Sequence, residues 1–364
     1  MNQDLTVKSD SFEYKVHIHR DERGLGALVG NLPKASKSFV FCDEIVFELF
    51  NKFISFEFEK HSIDFEWIIL KRGEKNKHIS RLEKVYNSLI EKGADRKSIL
   101  IALGGGVVGD FTGFVASTFL RGIRFVQVPT TLLAMVDSSV GGKVAVNVGR
   151  GKNMVGSFYQ PEFVYIPLNV LDTLPKREWK CGLAEIVKHG LLAGGDYFEL
   201  VQSLGKSDLR SDSTRLMEVV KGSIGFKASI VSQDEKENGL RAILNFGHTT
   251  GHAIESLTKY KRYSHGEAVA KGIVTALIVS KQKFDFSDLE WVTVLKIYKA
   301  LGLSPVIFEK NTEILSHMSH DKKKDGKDLR FVLLKKIGEP VFGITVTESE
   351  ILQSLKLQKS MDWR

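Results

Sequence analysis

Cysteine is nearly absent from this chain. Only Cys42 and Cys181 occur among 364 residues, and they stand far apart. That excludes a disulfide scaffold and a paired-cysteine zinc ribbon, and it fits a reducing, cytoplasmic setting. Long apolar runs are missing as well. The longest, residues 114–120 and 272–280, are bounded by Arg121, Lys271 and Lys281 and are too short to span a bilayer. The first ten residues are polar and of mixed charge, without the apolar core of a secretion signal. No repeat, low-complexity segment or flexible linker interrupts the chain. Basic residues exceed acidic ones, 52 against 44, for a formal charge of +8. The excess is scattered, and its one dense run, Asp321-Lys322-Lys323-Lys324-Asp325-Gly326-Lys327, has no interleaved aromatic residue on which bases could stack. Neither nucleic acid nor membrane is therefore expected as a partner. A small phosphorylated or carboxylated substrate accounts better for the positive charge.

What is present points to two domains. A length of 364 residues exceeds the usual limit of one hydrophobic core, and 43% hydrophobic with 26% charged residues is ordinary for a soluble enzyme. Short apolar runs at residues 38–42, 67–70, 98–103 and 125–128 read as buried strands. Helical periodicity at 44–53, 79–92 and 107–119 alternates with them, which predicts a mostly parallel sheet. Beyond Pro175 the pattern turns helical, with spans at 176–192, 215–231, 241–257, 267–283 and 290–301 and a late hairpin at 330–334 and 341–346. The fold expected is α/β followed by all-α, with the boundary near residues 174–178.

Three constellations carry chemistry. The first is Arg241-Ala242-Ile243-Leu244-Asn245-Phe246-Gly247-His248-Thr249-Thr250-Gly251-His252. Its histidines, four apart, share one face of a helix, with Asn245 and Arg241 close to the same face. His265 in Ser264-His265-Gly266-Glu267 and Glu185 in Gly182-Leu183-Ala184-Glu185-Ile186-Val187-Lys188-His189-Gly190 add further donors. One carboxylate and two imidazoles from separate segments leave an open coordination position, as catalytic zinc requires. The plainer reading of such a pair is a packed or capped one.

The second is Gly104-Gly105-Gly106-Val107-Val108-Gly109-Asp110, a G-x-G-x-x-G between a strand and a helix. Backbone amides there can hold a pyrophosphate, or the turn serves strand-to-helix packing alone. No Asp or Glu occurs between Asp110 and Asp137, so the ribose-binding acid of an ordinary dinucleotide dehydrogenase is missing. The third is the polar, glycine-bearing stretch from Pro129-Thr130-Thr131 through Asp137 to Lys143, followed by Gly151-Lys152-Asn153. It is either a phosphate-holding element or a solvated loop.

Taken in order, these segments together with Arg121-Gly122, Leu174-Pro175 and residues 234–255 resemble the 3-dehydroquinate synthase family of sugar-phosphate cyclases. The likeness runs from about Asp43 to Gly338. Its most specific parts are Leu244-Asn245 with Gly247-His248-Thr249 and Gly251-His252-Ala253-Ile254-Glu255, Ala184 to Gly190, and His265-Gly266-Glu267. The resemblance implies a Rossmann-like NAD-binding domain over residues 1–176 and a helical metal- and substrate-binding domain over 177–364. It implies that Glu185, His248 and His265 ligate a divalent metal, zinc or cobalt. For NAD it implies Asp43, Glu74, Lys77, Gly105, Gly106, Val107, Gly109, Asp110, Thr130, Thr131, Lys143, Lys152 and Thr173. For the substrate pocket it implies Arg121, Asp137, Lys143, Lys152, Asn153, Lys188, Lys227, Arg241, Asn245 and His252, with Glu237 and His252 as proton acceptors. One lysine of the 322–324 run also matches a substrate contact. Arg121 reaches the neighbouring subunit's site in that family, which implies a homodimer.

Two segments depart from the family pattern. Cys42 stands where threonine is common and Ile45 where a polar residue helps hold the adenosine; residues 144–150 are unlike the commonest loop. The implied reaction converts a sugar acid phosphate, 3-deoxy-D-arabino-heptulosonate 7-phosphate, into 3-dehydroquinate and phosphate. Oxidation of one alcohol acidifies the neighbouring proton and permits β-elimination of phosphate; reduction, ring opening and aldol closure follow, so NAD is regenerated and the enzyme is a lyase of the shikimate pathway. A related cyclase, a metal-dependent polyol dehydrogenase and a non-catalytic nucleotide- or nucleic-acid-binding protein are the competing readings.

Overall fold

The computed structural model describes residues 2–21, 23–149, 151–206, 208–284, 286–320 and 329–363. The basic run at 321–327, with the lysine expected at the substrate, lies outside the described residues. The chain divides into two compact units, Met1–Leu174 and Pro175–Arg364.

The first unit contains, in chain order, β1 (Gln3–Lys8), β2 (Glu13–His19), α1 (Leu25–Gly30), β3 (Ser38–Asp43), α2 (Glu44–Lys60), β4 (Phe65–Leu70), α3 (Leu82–Glu91), β5 (Ile99–Gly104), α4 (Gly106–Thr118), β6 (Arg124–Pro129), β7 (Lys143–Val148), β8 (Gly151–Phe158) and β9 (Phe163–Pro167). Seven strands form one sheet in the order β1-β2-β9-β6-β5-β3-β4. Only β1 and β2 pair antiparallel within it; the remaining pairs are parallel. Parallel strands covered on both faces read as unbroken apolar runs, and β5 is buried at every residue. Successive side chains feed opposite faces. Phe39, Phe41, Leu100 and Ala102 pack with Leu82, Leu89, Phe111 and Val115 of α3 and α4. Val40, Cys42, Ile99 and Ile101 pack with Leu25, Val29, Ile54 and Phe58 of α1 and α2.

From β3 the chain crosses to β4 on one side, and from β5 to β6 on the other. The switch point thus falls between β3 and β5, and ligands of open α/β sheets bind outside the carboxyl ends of the strands at such a point. The four strands expected from the sequence are β3 to β6. The stretch around Lys143 and Lys152, read as a phosphate-holding element or a solvated loop, forms a hairpin, β7 paired with β8. Asp137 precedes it in a π-helical turn, Ala134–Ser138.

The second unit contains α5 (Lys176–Ala193), α6 (Gly195–Gln202), α7 (Ser213–Gln233), α8 (His248–Leu257), α9 (His265–Phe284), α10 (Asp288–Leu301), α11 (Asn311–His320), β10 (Arg330–Leu334), β11 (Pro340–Thr345) and α12 (Glu348–Ser360). α9 is its core, packed against α5, α8 and α12 and buried at every residue from Ala268 to Ser280. One expectation fails here. Residues 241–257 do not form a continuous helix: a 3-10 turn covers Leu240–Asn245, and α8 begins only at His248. Between them Gly247 adopts φ +80°, and a Cβ there would lie 2.7 Å from the Ile273 nitrogen of α9. Only glycine tolerates both demands. Arg241 therefore does not share a helical face with His248. Among the described residues no helix is long and apolar enough to cross a membrane.

Candidate active site

In the first unit the expected cofactor residues gather at the carboxyl ends of adjacent parallel strands. Asp43 ends β3 beside the switch point, and its Oδ1 accepts from the Ile45 and Val46 amides, each at 3.0 Å. Gly105 follows β5 as the cap residue of α4, and no side chain caps that helix. Its first N–H groups, with Gly106 and Val107 leading, remain available to an anion. Gly109, one turn on, faces Gln127 of β6: a Cβ there would meet Gln127 Oε1 at 2.9 Å. Thr130 leaves β6 by donating its amide to the Gly104 carbonyl at 2.9 Å. Thr131 Oγ1 accepts from the Ala134 amide at 3.2 Å. Lys77, after β4, is buried and paired with Asp110 of α4 at 2.8 Å, with Glu74 at 3.6 Å. Thr173 ends a 3-10 turn after β9, its hydroxyl donating to the Val170 carbonyl at 2.9 Å.

Lys143 opens β7, while Lys152 and Asn153 lie on β8, with Asn153 at φ +54°. Asn147 of β7 was not expected from the sequence. Its amide donates to the Lys77 carbonyl at 2.8 Å, its Nδ2 to Glu74 Oε1 at 2.8 Å, and its Oδ1 accepts from the Asn153 amide at 2.8 Å. One buried amide side chain thus ties the 74–77 turn to the hairpin. Arg121 is placed elsewhere. It follows the C-terminus of α4, ~20 Å from the Gly106 end of a helix this long, within three successive positive-φ residues, Leu120 at 49°, Arg121 at 70° and Gly122 at 118°. Strain of this kind collects at functional sites.

In the second unit Glu185 of α5, His248 at the start of α8 and His265 at the start of α9 converge. One donor atom from each lies within 4.8 Å of the others. His248 Nε2 is 3.9 Å and His265 Nε2 3.8 Å from Glu185 Oε1. That oxygen is buried without a hydrogen-bond partner, a costly state unless a cation completes it. Each imidazole is turned inward by a bond on its other nitrogen: His248 Nδ1 to the Phe246 carbonyl at 3.2 Å, His265 Nδ1 to Glu255 Oε2 at 3.2 Å. Burial, then the Lys188 ammonium and the neighbouring His265 and His252 rings, push His248 well below the usual histidine value. It is held as the neutral imidazole that a metal binds. The donor set fits a catalytic divalent metal with a position left open.

Around this centre, Lys188 forms a buried ion pair with Glu185 one turn earlier on α5. Lys227 of α7 is also buried. His252 is exposed, with its ring 5.3 Å from His248 and 6.0 Å from His265. It forms an overlapping donor group with Glu255 and His265, so the two histidines of α8 divide their roles rather than ligating as a pair. Glu237 adopts φ +58° in the loop after α7 and accepts from Asn245 Nδ2 at 2.6 Å. Arg241 is 2% exposed. Its guanidinium donates to the Glu235 carbonyl and its amide to Asp234 Oδ2 at 2.9 Å.

The His-Gly-Glu segment is explained residue by residue. His265 is the donor. Gly266 lies directly on α5, its amide donating to Cys181 Sγ at 3.1 Å. Glu267 accepts from the Ser264 amide and from Arg177 Nη2, both at 2.7 Å; although burial opposes its charge, those bonds hold its pKa below the usual value. Glu255, Cys181 and Arg177 were not picked out as site residues. Both cysteines are free and buried, and burial raises each thiol to about 12, which keeps them inert.

Known proteins define the class first. The fold matches 2-deoxy-scyllo-inosose synthase, solved with carbaglucose-6-phosphate, NAD+ and Co2+, with TM-score 0.84 and 25% identity over 98% of this chain and 99% of that one. It matches 2-epi-5-epi-valiolone synthase from Streptomyces hygroscopicus subsp. jinggangensis, solved with NAD+ and Zn2+, with TM-score 0.86 and 25% identity over 95% and 96%. This is the architecture of the sugar-phosphate cyclases. The model of the 3-dehydroquinate synthase N-terminal domain matches residues 67–181, and that of the C-terminal domain matches 182–324. The 3-dehydroquinate synthase of Leptospira interrogans serogroup Icterohaemorrhagiae serovar copenhageni is 52% identical over 357 residues, 98% of both chains. The chain belongs to the 3-dehydroquinate synthase family.

Proposed function

We propose that this chain is a lyase that converts 3-deoxy-D-arabino-heptulosonate 7-phosphate to 3-dehydroquinate and phosphate, with NAD recycled within each turnover and a divalent metal, zinc or cobalt. The observation that carries the reading is the Glu185, His248 and His265 cluster, with its unpartnered carboxylate oxygen, in a chain of this family.

When bound, NAD supplies a reversible hydride acceptor and the metal supplies charge stabilisation at the substrate hydroxyls. The domain of residues 1–176 serves the cofactor. Gly105 to Gly109, Thr130 and Thr131 would hold it with backbone amides and hydroxyls, with Asp43 at the switch point, Glu74 in the turn after β4 and the buried Lys77–Asp110 pair beside them; Lys143, Lys152 and Thr173 complete the set. The domain of residues 177–364 serves metal and substrate. Glu185, His248 and His265 hold the metal. Lys188, paired with Glu185, and Lys227 neutralise anionic parts of the substrate. In the first unit Lys152 and Asn153 serve the phosphate, Lys143 the carboxylate and Asp137 a hydroxyl; in the second His252 serves the phosphate and Asn245 a hydroxyl, while Arg241, its guanidinium on the Glu235 carbonyl, holds the loop that carries Glu237. Glu237 and His252 accept protons, and exposure of His252 lets it exchange them with solvent. Holding the substrate in one orientation supplies much of the acceleration.

The enzyme acts as a cytoplasmic homodimer in this reading. Support for the dimer is the remoteness of Arg121 from the α4 N-terminus of its own chain; support for the compartment is the pair of buried, unbridged thiols. The deciding assay measures phosphate release from the heptulosonate phosphate with sub-stoichiometric NAD. Many turnovers per NAD without accumulating NADH are expected. Stoichiometric NADH would make the protein a dehydrogenase and overturn the proposal.

A further inference from the structure

The N-terminal hairpin carries a second donor cluster. β2 buries Tyr14, Val16 and Ile18 and turns Lys15, His17 and His19 to the other face. Its register sets Asp4 of β1 opposite His17, and His17 Nδ1 meets Asp4 Oδ1 at 2.9 Å. One donor atom from each of Asp4, His17 and His19 lies within 4.8 Å of the others. Two imidazoles two residues apart on a strand are neighbours by the pleat itself, so no loop has to be ordered to assemble them. Aromatic rings of β9 steady both. His17 stands edge-on to Phe163 with centroids 5.7 Å apart, and His19 lies 4.8 Å from the Tyr165 ring. The Tyr165 hydroxyl is 3.2 Å from His19 Nδ1 and is itself held at the Asp21 and Arg23 carbonyls, at 3.0 and 2.9 Å. For His19 that partner on Nδ1 orients the ring and leaves Nε2 for a ligand, whereas the donor atoms of His17 and Asp4 already face each other.

We propose that Asp4, His17 and His19 form a second metal site, for a borderline divalent transition ion such as zinc, separate from the Glu185 centre. Two imidazoles and one carboxylate suit zinc, nickel or copper, whereas magnesium and calcium prefer oxygen donors throughout. Three protein donors leave a position for water. None of the three residues belongs to the segments that carry the proposed reaction. The ion clips the edge strand β1 to β2, which otherwise meets the rest of the sheet only through its partner.

The test titrates zinc into metal-stripped full-length protein against a chromophoric competitor. About two equivalents per chain are expected for the wild type and about one for the His17→Ala, His19→Ala double variant, whose turnover at saturating zinc should match wild type. Asp4→Asn, at an exposed position that does not endanger folding, should weaken the second equivalent by on the order of tenfold. His248→Ala should lose the other equivalent and keep this one. Equal stoichiometry in wild type and double variant, or unchanged affinity in Asp4→Asn, overturns the proposal. Because zinc is counted directly, the result stands whether or not the enzyme makes 3-dehydroquinate.

Discussion

Glu255 Oε2 stands 3.2 Å from His265 Nδ1, and this contact turns the opposite nitrogen of His265 toward Glu185 Oε1, 3.8 Å away. A carboxylate behind a ligating histidine fixes its tautomer and raises its basicity. Glu255→Gln should therefore weaken zinc or cobalt affinity by about 10–100-fold while the fold persists. Chelator competition on the purified variant measures this, and wild-type affinity would remove Glu255 from the metal centre.

Acid should weaken the second unit through His248. Its pKa is held well below 6.5, first by burial and then by Lys188 and the neighbouring imidazoles, so the unfolded chain takes up the proton before the folded one does. Stability present above about pH 6.5 is lost as the pH falls below that value, by up to ~1.4 kcal/mol per pH unit for one proton. His19 is shifted in the same direction, so the informative quantity is a difference. Denaturant midpoints of metal-free wild type and His248→Gln, followed between about pH 7 and pH 5, should show the shallower decline in the variant. Parallel declines would mean that His248 is not buried as the neutral base.

Gly266 has no room for a side chain. A Cβ there would lie 2.2 Å from the Cys181 carbonyl oxygen and 2.5 Å from its Cα, backbone atoms that cannot rotate away. Gly266→Ala should part α9 from α5 at a cost of about 1–3 kcal/mol, the usual range for overpacking. Glu185 lies one turn beyond Cys181 and His265 adjoins Gly266, so melting temperature and metal affinity should fall together. A variant that melts normally with full metal content would refute the tight contact.

Gly106 tests the glycine turn before α4 in the same way. Its Cβ would sit 3.0 Å from Ser138 Oγ, and a larger group would crowd the approach to the first amides of α4. Gly106→Val should weaken NAD binding by on the order of tenfold, about 1.4 kcal/mol. Fluorescence titration with NAD reads this directly. Unchanged affinity would place the pyrophosphate elsewhere.

These contacts also mark where sequence pattern stops being informative. β3 to β6 are legible because parallel central strands are continuous apolar runs. β1 and β2 carry exposed polar residues at alternate positions, and β9 is five residues closed by a proline, so each falls below the same signal. α12 was legible in principle, since Thr347 and Glu350 form a capping box. Glu185, His248 and His265 could be named as donors from residue type and family resemblance. Glu255 behind His265 and Asn147 behind Glu74 could not, because their roles depend on pairings across separate elements. The helix imagined across 241–257 failed at Gly247, where periodicity records the apolar positions but not the left-handed turn.

That failure changes what Arg241 should do. In a continuous helix its guanidinium would face outward beside His248 as a clamp for the substrate carboxylate. The structure instead buries it against the loop that follows α7. Asp234 Oδ1 and Oδ2 gather the Asn238, Gly239 and Arg241 amides, at 2.9, 2.8 and 2.9 Å, while the Arg241 guanidinium donates to the Glu235 carbonyl. This loop carries Glu237 at a positive φ, seated by Asn245. Lysine at 241 would keep the charge and lose the planar fork, leaving the Glu235 carbonyl poorly served. Arg241→Lys should therefore lower stability by about 1–3 kcal/mol. It should also lower kcat/KM per folded molecule by at least roughly tenfold, because the loop that holds Glu237 in place loosens. Denaturation and active-site-normalised kinetics on one preparation separate the alternatives. Lost activity at unchanged stability would restore Arg241 as a substrate clamp alone, and lost stability with normal kcat/KM would remove both Arg241 and the Glu237 loop from the chemistry.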